Sequence, residues 1–450
     1  MDEVSASPED VKRAEQLALP AFRKDLEDLL RDRPDLRPQL ADDQAIFALA
    51  DKAVRDYLAA AARNPSLPRL SRVQAMEVRR RLYVTHCPLG PLKELLDKPG
   101  VEDVHINGTR GGYLEYGDHR EALPVEFNSE EELEKLIRWY AEHSGKHFDP
   151  GNPMVTITLR DGTRINAILP PVAKPLVVTI RLQQVGRFLA LEDLYREGAI
   201  PEASMPLLRA AVEARLNIVL SGPTGAGKTT VARVLALLIP KGERTCVLET
   251  ETELWLHDLR DEFFSLEERD ANVEGAGRIT MHDLFVRGAL RQRPRRIIVG
   301  EVRDKEALDM LRAMSSAHHG SLTTVHASSP RMALNLLQML AASAEPNLPH
   351  HLASQMVGMA VDMVVQLDLY QRGQREVRRL SSLCFVDHNA EDNAIGPIVQ
   401  EVCRHRLETD DWSWEPDAIV FMPAKVRTKF RAAGIDEHRL RIRVAGSGEA

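Results

Sequence analysis

Asn217-Ile218-Val219-Leu220-Ser221-Gly222-Pro223-Thr224-Gly225-Ala226-Gly227-Lys228-Thr229-Thr230 is the stretch on which the reading of this chain turns. Asn217 to Ser221 is an apolar run with the length of a buried strand. It passes into a loop with glycine at 222, 225 and 227, and the loop passes into Val231, Val234, Leu235, Leu237 and Leu238 at helical spacing. A strand, a glycine loop ending in Gly-Lys-Thr and a helix together make a phosphate loop. Glycines let backbone N–H groups turn inward around a phosphate, and the helix N-terminus adds a positive dipole. The pattern assigns Gly222, Pro223, Thr224, Gly225, Ala226, Gly227, Lys228, Thr229 and Thr230 to a nucleoside triphosphate. Lys228 reaches the β- and γ-phosphates, and the Thr229 hydroxyl ligates Mg²⁺. The motif does not say what the energy is used for.

Downstream, Arg296-Ile297-Ile298-Val299-Gly300-Glu301 is an apolar strand ending in a carboxylate. Gly300 occupies the position of the usual metal-side aspartate, so Glu301 is expected to polarise the attacking water and help hold the metal shell. A second acidic stretch, Glu249-Thr250-Glu251-Thr252-Glu253, follows the strand Thr245 to Leu248. Three like charges at alternating positions repel unless solvent or a cation stabilises them. They read either as a solvated loop or as a site that places Glu249 beside Mg²⁺. The strand-like run Gly320 to Ser328 carries His326, which alone would read as a structural histidine.

Upstream of the loop the pattern differs. Residues 1–88 read as a helical extension: Pro8-Glu9-Asp10 starts one helix, Gln44 to Arg63 forms a second, and a third begins near Ser71. Residues 89–184 read as an α+β domain, with strands at Val101–Asn107, Val155–Leu159, Thr163–Leu169 and Leu176–Leu182, a helix over Glu130–His143, and a hairpin turn at Asp161-Gly162. Gly198, Pro201 and Pro206 punctuate a hinge linker over 185–204. Residues 205–450 form the nucleotide-binding domain with a C-terminal extension of strand-like pieces and a basic end. The expected fold class is α/β.

With 59 basic and 67 acidic residues the net charge is −8, which does not suit a general polyanion binder, and no direct nucleic-acid partner is expected. The cluster Arg291-x-Arg293-Pro294-Arg295-Arg296 is expected to face a neighbouring subunit's nucleotide or acids. The four cysteines lack a Cys-x-x-Cys pair, which excludes a zinc ribbon and favours free thiols. Met1-Asp2-Glu3-Val4-Ser5 lacks the apolar core of a signal peptide, and no apolar run approaches the roughly 20 residues of a membrane helix. The expectation is a cytoplasmic chain that reaches a membrane through partners.

Taken in order, the phosphate loop, the acidic box at Glu249 to Glu253, Gly300-Glu301-Val302-Arg303 and Thr324-Val325-His326-Ala327 resemble the ATPases of type II and type IV secretion and of type IV pili. Leu89-Gly90-Pro91-Leu92, Asp161 to Ala167, Pro170-Pro171 and Thr179-Ile180-Arg181 extend the resemblance over roughly residues 88–425, and within the family the chain is most similar to the CpaF/TadA branch that drives Flp-type pili. The resemblance implies a RecA-like motor domain behind a smaller N-terminal domain, Mg²⁺-dependent ATP hydrolysis, a homo-hexameric ring and a polytopic inner-membrane platform as partner. It implies Glu249 as the acidic-box carboxylate, Glu301 as the catalytic glutamate, and His326 at the γ-phosphate. Arg164 and Arg181 are implied to close onto phosphate. The chain departs from the family at Thr250, where an aspartate is usual, and at His282, Arg295 and Ala317. A type IV secretion or conjugation traffic ATPase is the alternative within the family; an ATP-binding regulator with little hydrolysis is the alternative outside it.

Overall fold

The protein is described by a computed structural model over residues 8–32, 43–86, 98, 100–117, 119–123, 129–159, 162–182, 188–269, 277–345, 347–373, 375–388, 396–415, 417–436 and 440. Leu89 to Leu92, the boundary expected at 88/89, Asp161 and residues 185–187 lie outside this range. The chain divides into two compact units, Met1–Gln184 and Val185–Ala450.

In the first unit, helices Pro8–Asp32, Asp43–Arg63 and Arg72–His86 bury one apolar stripe each, including Ala14, Ala18 and Phe22 on the first and Ala50, Val54 and Tyr57 on the second. The six-stranded antiparallel sheet is built from β1 (Val101–Asn107), β2 (Gly112–Tyr116), β3 (Arg120–Ala122), β4 (Met154–Thr158), β5 (Arg164–Ile168) and β6 (Val177–Arg181), in the order β3-β2-β1-β6-β5-β4. Period-2 alternation sends Val104, Ile106, Ile165, Ala167, Val178 and Ile180 to one face, where Leu133 and Ile137 of the helix Glu130–His143 cover them. That helix starts where it does because the Ser129 hydroxyl accepts the Glu132 N–H at 3.2 Å and three glutamates follow in the first turn. Trp139 on the same helix packs against both the sheet's core and the helical layer, so residues 8–86 and the sheet form one unit.

The second unit is a nine-stranded sheet of β7 (Ile218–Ser221), β8 (Thr245–Glu249), β9 (Phe263–Glu267), β10 (Arg296–Val299), β11 (Leu322–Val325), β12 (Met363–Arg372), β13 (Arg375–Asp387), β14 (Ile398–Arg406) and β15 (Asp411–Trp414). The order is β15-β14-β13-β12-β7-β11-β10-β8-β9. From β12 to β9 every pairing is parallel, and β13 to β15 extend the sheet antiparallel. Strands β7, β8, β10 and β11 are buried at every position because both faces are covered. Ile218 and Leu220 of β7 enter one core with Val231, Val234 and Leu235; Val219 enters the other with Met310, Leu311 and Leu337. This is an α/β, RecA-like arrangement.

Two expectations are corrected here. Most of the segment expected as a hinge linker, 185–204, is part of the second unit: Leu191, Leu194 and Ile200 are buried in its first core, and Leu380 donates its N–H to the Ala199 carbonyl at 2.7 Å. The arginine cluster does not act as one surface either. Arg291, Arg293 and Arg295 are exposed, but Arg296 is buried with 1% of its side chain accessible. Its Nε donates to Glu243 Oε2 at 2.8 Å and Nη1 to the Val212 carbonyl at 2.7 Å. Removing one partner of a buried ion pair leaves a desolvated charge, which costs about 3–5 kcal/mol. Glu243 keeps some exposure, so Glu243→Ala should lose about 3 kcal/mol in urea unfolding, the lower end of that range. A loss within the ~0–1 kcal/mol of a surface pair would contradict the assignment.

Candidate functional site

In the parallel part of the sheet the register brings the carboxyl ends of four strands to one edge. Ser221 pairs with Val325, Val299 with Thr323, and Val299 with Leu248. Ligands of open α/β sheets bind outside such ends. The loop after β7 carries Gly225 and Gly227 at φ +78° and +88°, left-handed conformations that side chains resist. The helix Lys228–Leu237 begins directly behind it.

The Lys228 ammonium is folded back onto its own loop. Nζ donates to the carbonyls of Gly222 at 3.0 Å and Pro223 at 2.9 Å, and stands 3.3 Å from His326 Nδ1. Burial is the main influence lowering its pKa, opposed by Glu301 and Glu253. His326 Nε2 lies 2.9 Å from Glu301 Oε1, and Arg303 Nη2 donates to Glu301 Oε2 at 2.5 Å. Burial, followed by the Lys228 charge, pushes the His326 pKa down, which favours the neutral ring. An ammonium can only donate, so Nδ1 is the acceptor and the proton of the neutral ring sits on Nε2, the nitrogen beside Glu301. Thr224 Oγ1 is 3.4 Å from the same Nδ1.

On the other side of Lys228, the Thr229 hydroxyl donates to Glu253 Oε2 at 3.3 Å. Glu249 is 2% exposed; its Oε1 accepts the N–H groups of Glu253 and Leu254, both at 2.9 Å, while its buried Oε2 has no hydrogen-bond partner. A Cβ on Gly300 would stand 2.9 Å from Glu249 Cγ, so glycine at 300 is what admits this carboxylate from the neighbouring strand. The acidic loop is held in place by Arg233, itself 4% exposed, whose Nε and Nη2 donate to the carbonyls of Leu254 at 2.9 Å and Glu253 at 2.7 Å. An orphaned buried carboxylate oxygen among hydroxyl and carboxylate donors fits a hard divalent cation such as Mg²⁺. Thr250 is exposed; the second acid near Thr229 comes from Glu253 instead.

Lys228, Thr229, Glu249, Glu301 and His326 are thus gathered at one sheet edge. Arg164 and Arg181 lie in the first unit. There the register makes one row across the sheet, Glu115–Asp103–Arg181–Arg164–Thr158. Two arginines opposite each other repel, and Asp103 relieves Arg181: Nε donates to Oδ1 at 2.9 Å and Nη2 to Oδ2 at 3.2 Å. Sequence reasoning missed Glu253, Arg233 and Asp103 because their partners are distant in sequence, and missed Arg303 although its partner Glu301 is two residues away. Arg303 alone gave a signal, since it ends the Gly300-Glu301-Val302-Arg303 box.

A phosphate loop with a basic and an acidic flank at the carboxyl edge of a parallel sheet defines a nucleotide-binding domain of the P-loop class. The chain belongs to the type II/IV secretion system protein family, whose sequence profile matches residues 87–410. It is 31% identical over 284 residues to the probable conjugal transfer protein TrbB of Sinorhizobium fredii, covering 62% of this chain and 82% of that one. It is 29% identical to the type IV secretion system protein PtlH homolog of Bordetella bronchiseptica, covering 66% of this chain and 94% of that one. Among solved structures, the VirB11 ATPase of the Brucella suis type IV secretion system in complex with sulphate aligns with 74% of this chain and 98% of its own, at 24% identity and a TM-score of 0.33. Among the described residues no helix is long and apolar enough to cross a membrane.

Burial, reinforced by the nearby charges of Glu253 and Glu267, raises the Glu249 pKa from 4.5 to about 7. Below pH 4.5 the carboxyl is protonated both folded and unfolded; above pH 7 the folded chain must bury the charge. Stability is therefore lost as pH rises through this window, by about 3 kcal/mol at ~1.36 kcal/mol per pH unit. Without Mg²⁺ or nucleotide, urea unfolding of Glu249→Gln should gain on the wild type by that amount between pH 4.5 and 8. A stability difference that stays constant with pH would contradict the buried, partnerless oxygen.

Proposed function

We propose that this chain is an ATP-hydrolysing motor of a secretion or conjugation machine, working as a homo-hexameric ring at the cytoplasmic face of a membrane platform. The observation that carries the reading is the contact chain Lys228–His326–Glu301 at the mouth of the phosphate loop. Relatives named for conjugal transfer and type IV secretion favour that use of the motor. The Flp-pilus reading is supported by the motif resemblance and by the helical layer of residues 8–86, which lies outside the family match at 87–410.

In this reading the loop N–H groups and Lys228 bind the triphosphate. Thr229, Glu249, Glu253 and Glu301 would hold Mg²⁺, which when bound supplies neutralising charge on phosphate oxygens. Glu301 orients and polarises the attacking water. Arg303 holds Glu301 by one oxygen and the His326 ring stands 2.9 Å from the other, so the carboxylate is confined before substrate arrives. His326 Nδ1 faces the space that Lys228 shares with the γ-phosphate. Arg181, aimed by Asp103, and Arg164 beside it supply the cations that close the other side of the transferring group.

Glu301→Gln should bind MgATP with near-normal affinity yet lose roughly 10²–10⁴-fold in turnover, the contribution of a positioned base. Lys228→Ala should abolish hydrolysis. Affinity and phosphate release measured on the same samples decide this; a wild type that binds ATP without releasing phosphate would make the chain a regulator.

The ring reading has its own test. Arg181→Ala should cut kcat toward the roughly 10³–10⁵-fold worth of a phosphate-closing arginine. Light scattering should show a hexamer favoured by MgATP. A monomer with full turnover at every concentration, or an Arg181→Ala variant with unchanged kcat, would overturn it.

A further inference from the structure

A glycine-rich loop has little regular hydrogen bonding of its own, so its shape must be imposed by neighbours. In this chain the outward carbonyls have identifiable donors. Those of Gly222 and Pro223 accept from the Lys228 ammonium, and that of Gly227 accepts from the Val231 N–H at 3.0 Å. The Gly225 carbonyl accepts from Arg378 Nε at 2.8 Å. Arg378 lies on β13, opposite Leu369 of β12, and both reach the loop: a Cβ on Gly225 would touch Leu369 Cδ2 at 3.8 Å, and one on Gly227 would touch Arg378 Cδ at 3.9 Å.

These donors are not equivalent. Lys228 cannot serve two masters: an ammonium drawn to a phosphate gives up the carbonyls of Gly222 and Pro223. Arg378 is not bound by that exchange. Its charge-assisted bond draws electron density from the Gly225 carbonyl, and the N–H of the same peptide unit, on Ala226, becomes a stronger donor. That N–H donates to the Pro223 carbonyl at 3.3 Å, so it must leave this bond to meet phosphate, as Lys228 must leave the same carbonyl.

We propose that Arg378 is a positioning residue of the nucleotide site, holding the Gly225–Ala226 peptide of the phosphate loop from β13 when Lys228 leaves the loop for phosphate. This rests on reading the loop as a nucleotide site. It gives the motor domain a cation of its own at the loop, distinct from the arginines of the first unit, and makes the β12–β13 hairpin part of the binding machinery.

The test is calorimetric titration of the full chain with MgATP, alongside steady-state turnover and thermal melting of the nucleotide-free protein. Arg378→Ala should weaken MgATP binding about tenfold, the weight of one partly solvated charge-assisted bond. The loss should fall on Kd and KM, with kcat at saturating MgATP and the melting temperature of the free protein retained. Arg378→Lys, which keeps the charge but not the planar fork, should recover part of the affinity. Unchanged affinity in Arg378→Ala would overturn the proposal while leaving the nucleotide site intact, as would equal losses in both variants with a lowered melting temperature. A wild type that binds no MgATP is a different result, one that removes the nucleotide reading itself.

Discussion

In a parallel sheet the hydrogen-bond register decides how far the residue after each strand projects beyond the edge. In the second unit the pairings of Ser221 with Val325 and of Val299 with Thr323 and Leu248 end β7, β11, β10 and β8 within a residue or two of one another. A slip of one residue would turn every side chain on the slipped strand to the other face. The double burial of the strands forbids it, because Ile218 and Leu220 belong to one core and Val219 to the other. The same register therefore places the phosphate loop, His326, Glu301 and Glu249 side by side.

Within that edge most of the charges have partners of their own. Lys228, partly desolvated, has two loop carbonyls and a neutral imidazole around it. Glu301 has Arg303 bonded to one oxygen and the His326 ring 2.9 Å from the other. Glu249 is the exception: one of its oxygens is satisfied by two backbone N–H groups and the other is buried with no partner. Burying a polar oxygen unsatisfied is costly, and a cation would relieve that cost. In the first unit Arg164 stands opposite Arg181, and Asp103 accepts from Arg181.

Much of this was legible in the sequence because it is local. The strand–loop–helix around Lys228, the apolar strand before Glu301 and the alternation in 155–168 are short-range patterns, and β1, β4, β5 and β6 fall where the alternation puts them. The linker expectation failed over 188–204 because Gly198, Pro201 and Pro206 were weighed above Leu191, Leu194 and Ile200, whose burial decides the matter. The arginine cluster misled because four like residues within six positions say nothing about which one faces Glu243, 53 positions from Arg296. Glu253 could not be told from Glu249 or Glu251 by spacing; the turn at Leu254 and the bonds from Arg233 bring it to Thr229. Arg378 lies 153 positions from Gly225 and carries no motif.

The central claim is that these strand ends form one nucleotide site whose lysine is, in the free protein, held on its own loop. The most direct measurement is an experimentally determined structure of the chain with Mg²⁺ and a non-hydrolysable ATP analogue. The account predicts the terminal phosphate at Lys228 Nζ, with that ammonium detached from the carbonyls of Gly222 and Pro223, and the metal beside the Thr229 hydroxyl. A nucleotide bound elsewhere, or a bound triphosphate with Lys228 still on both carbonyls, would contradict it.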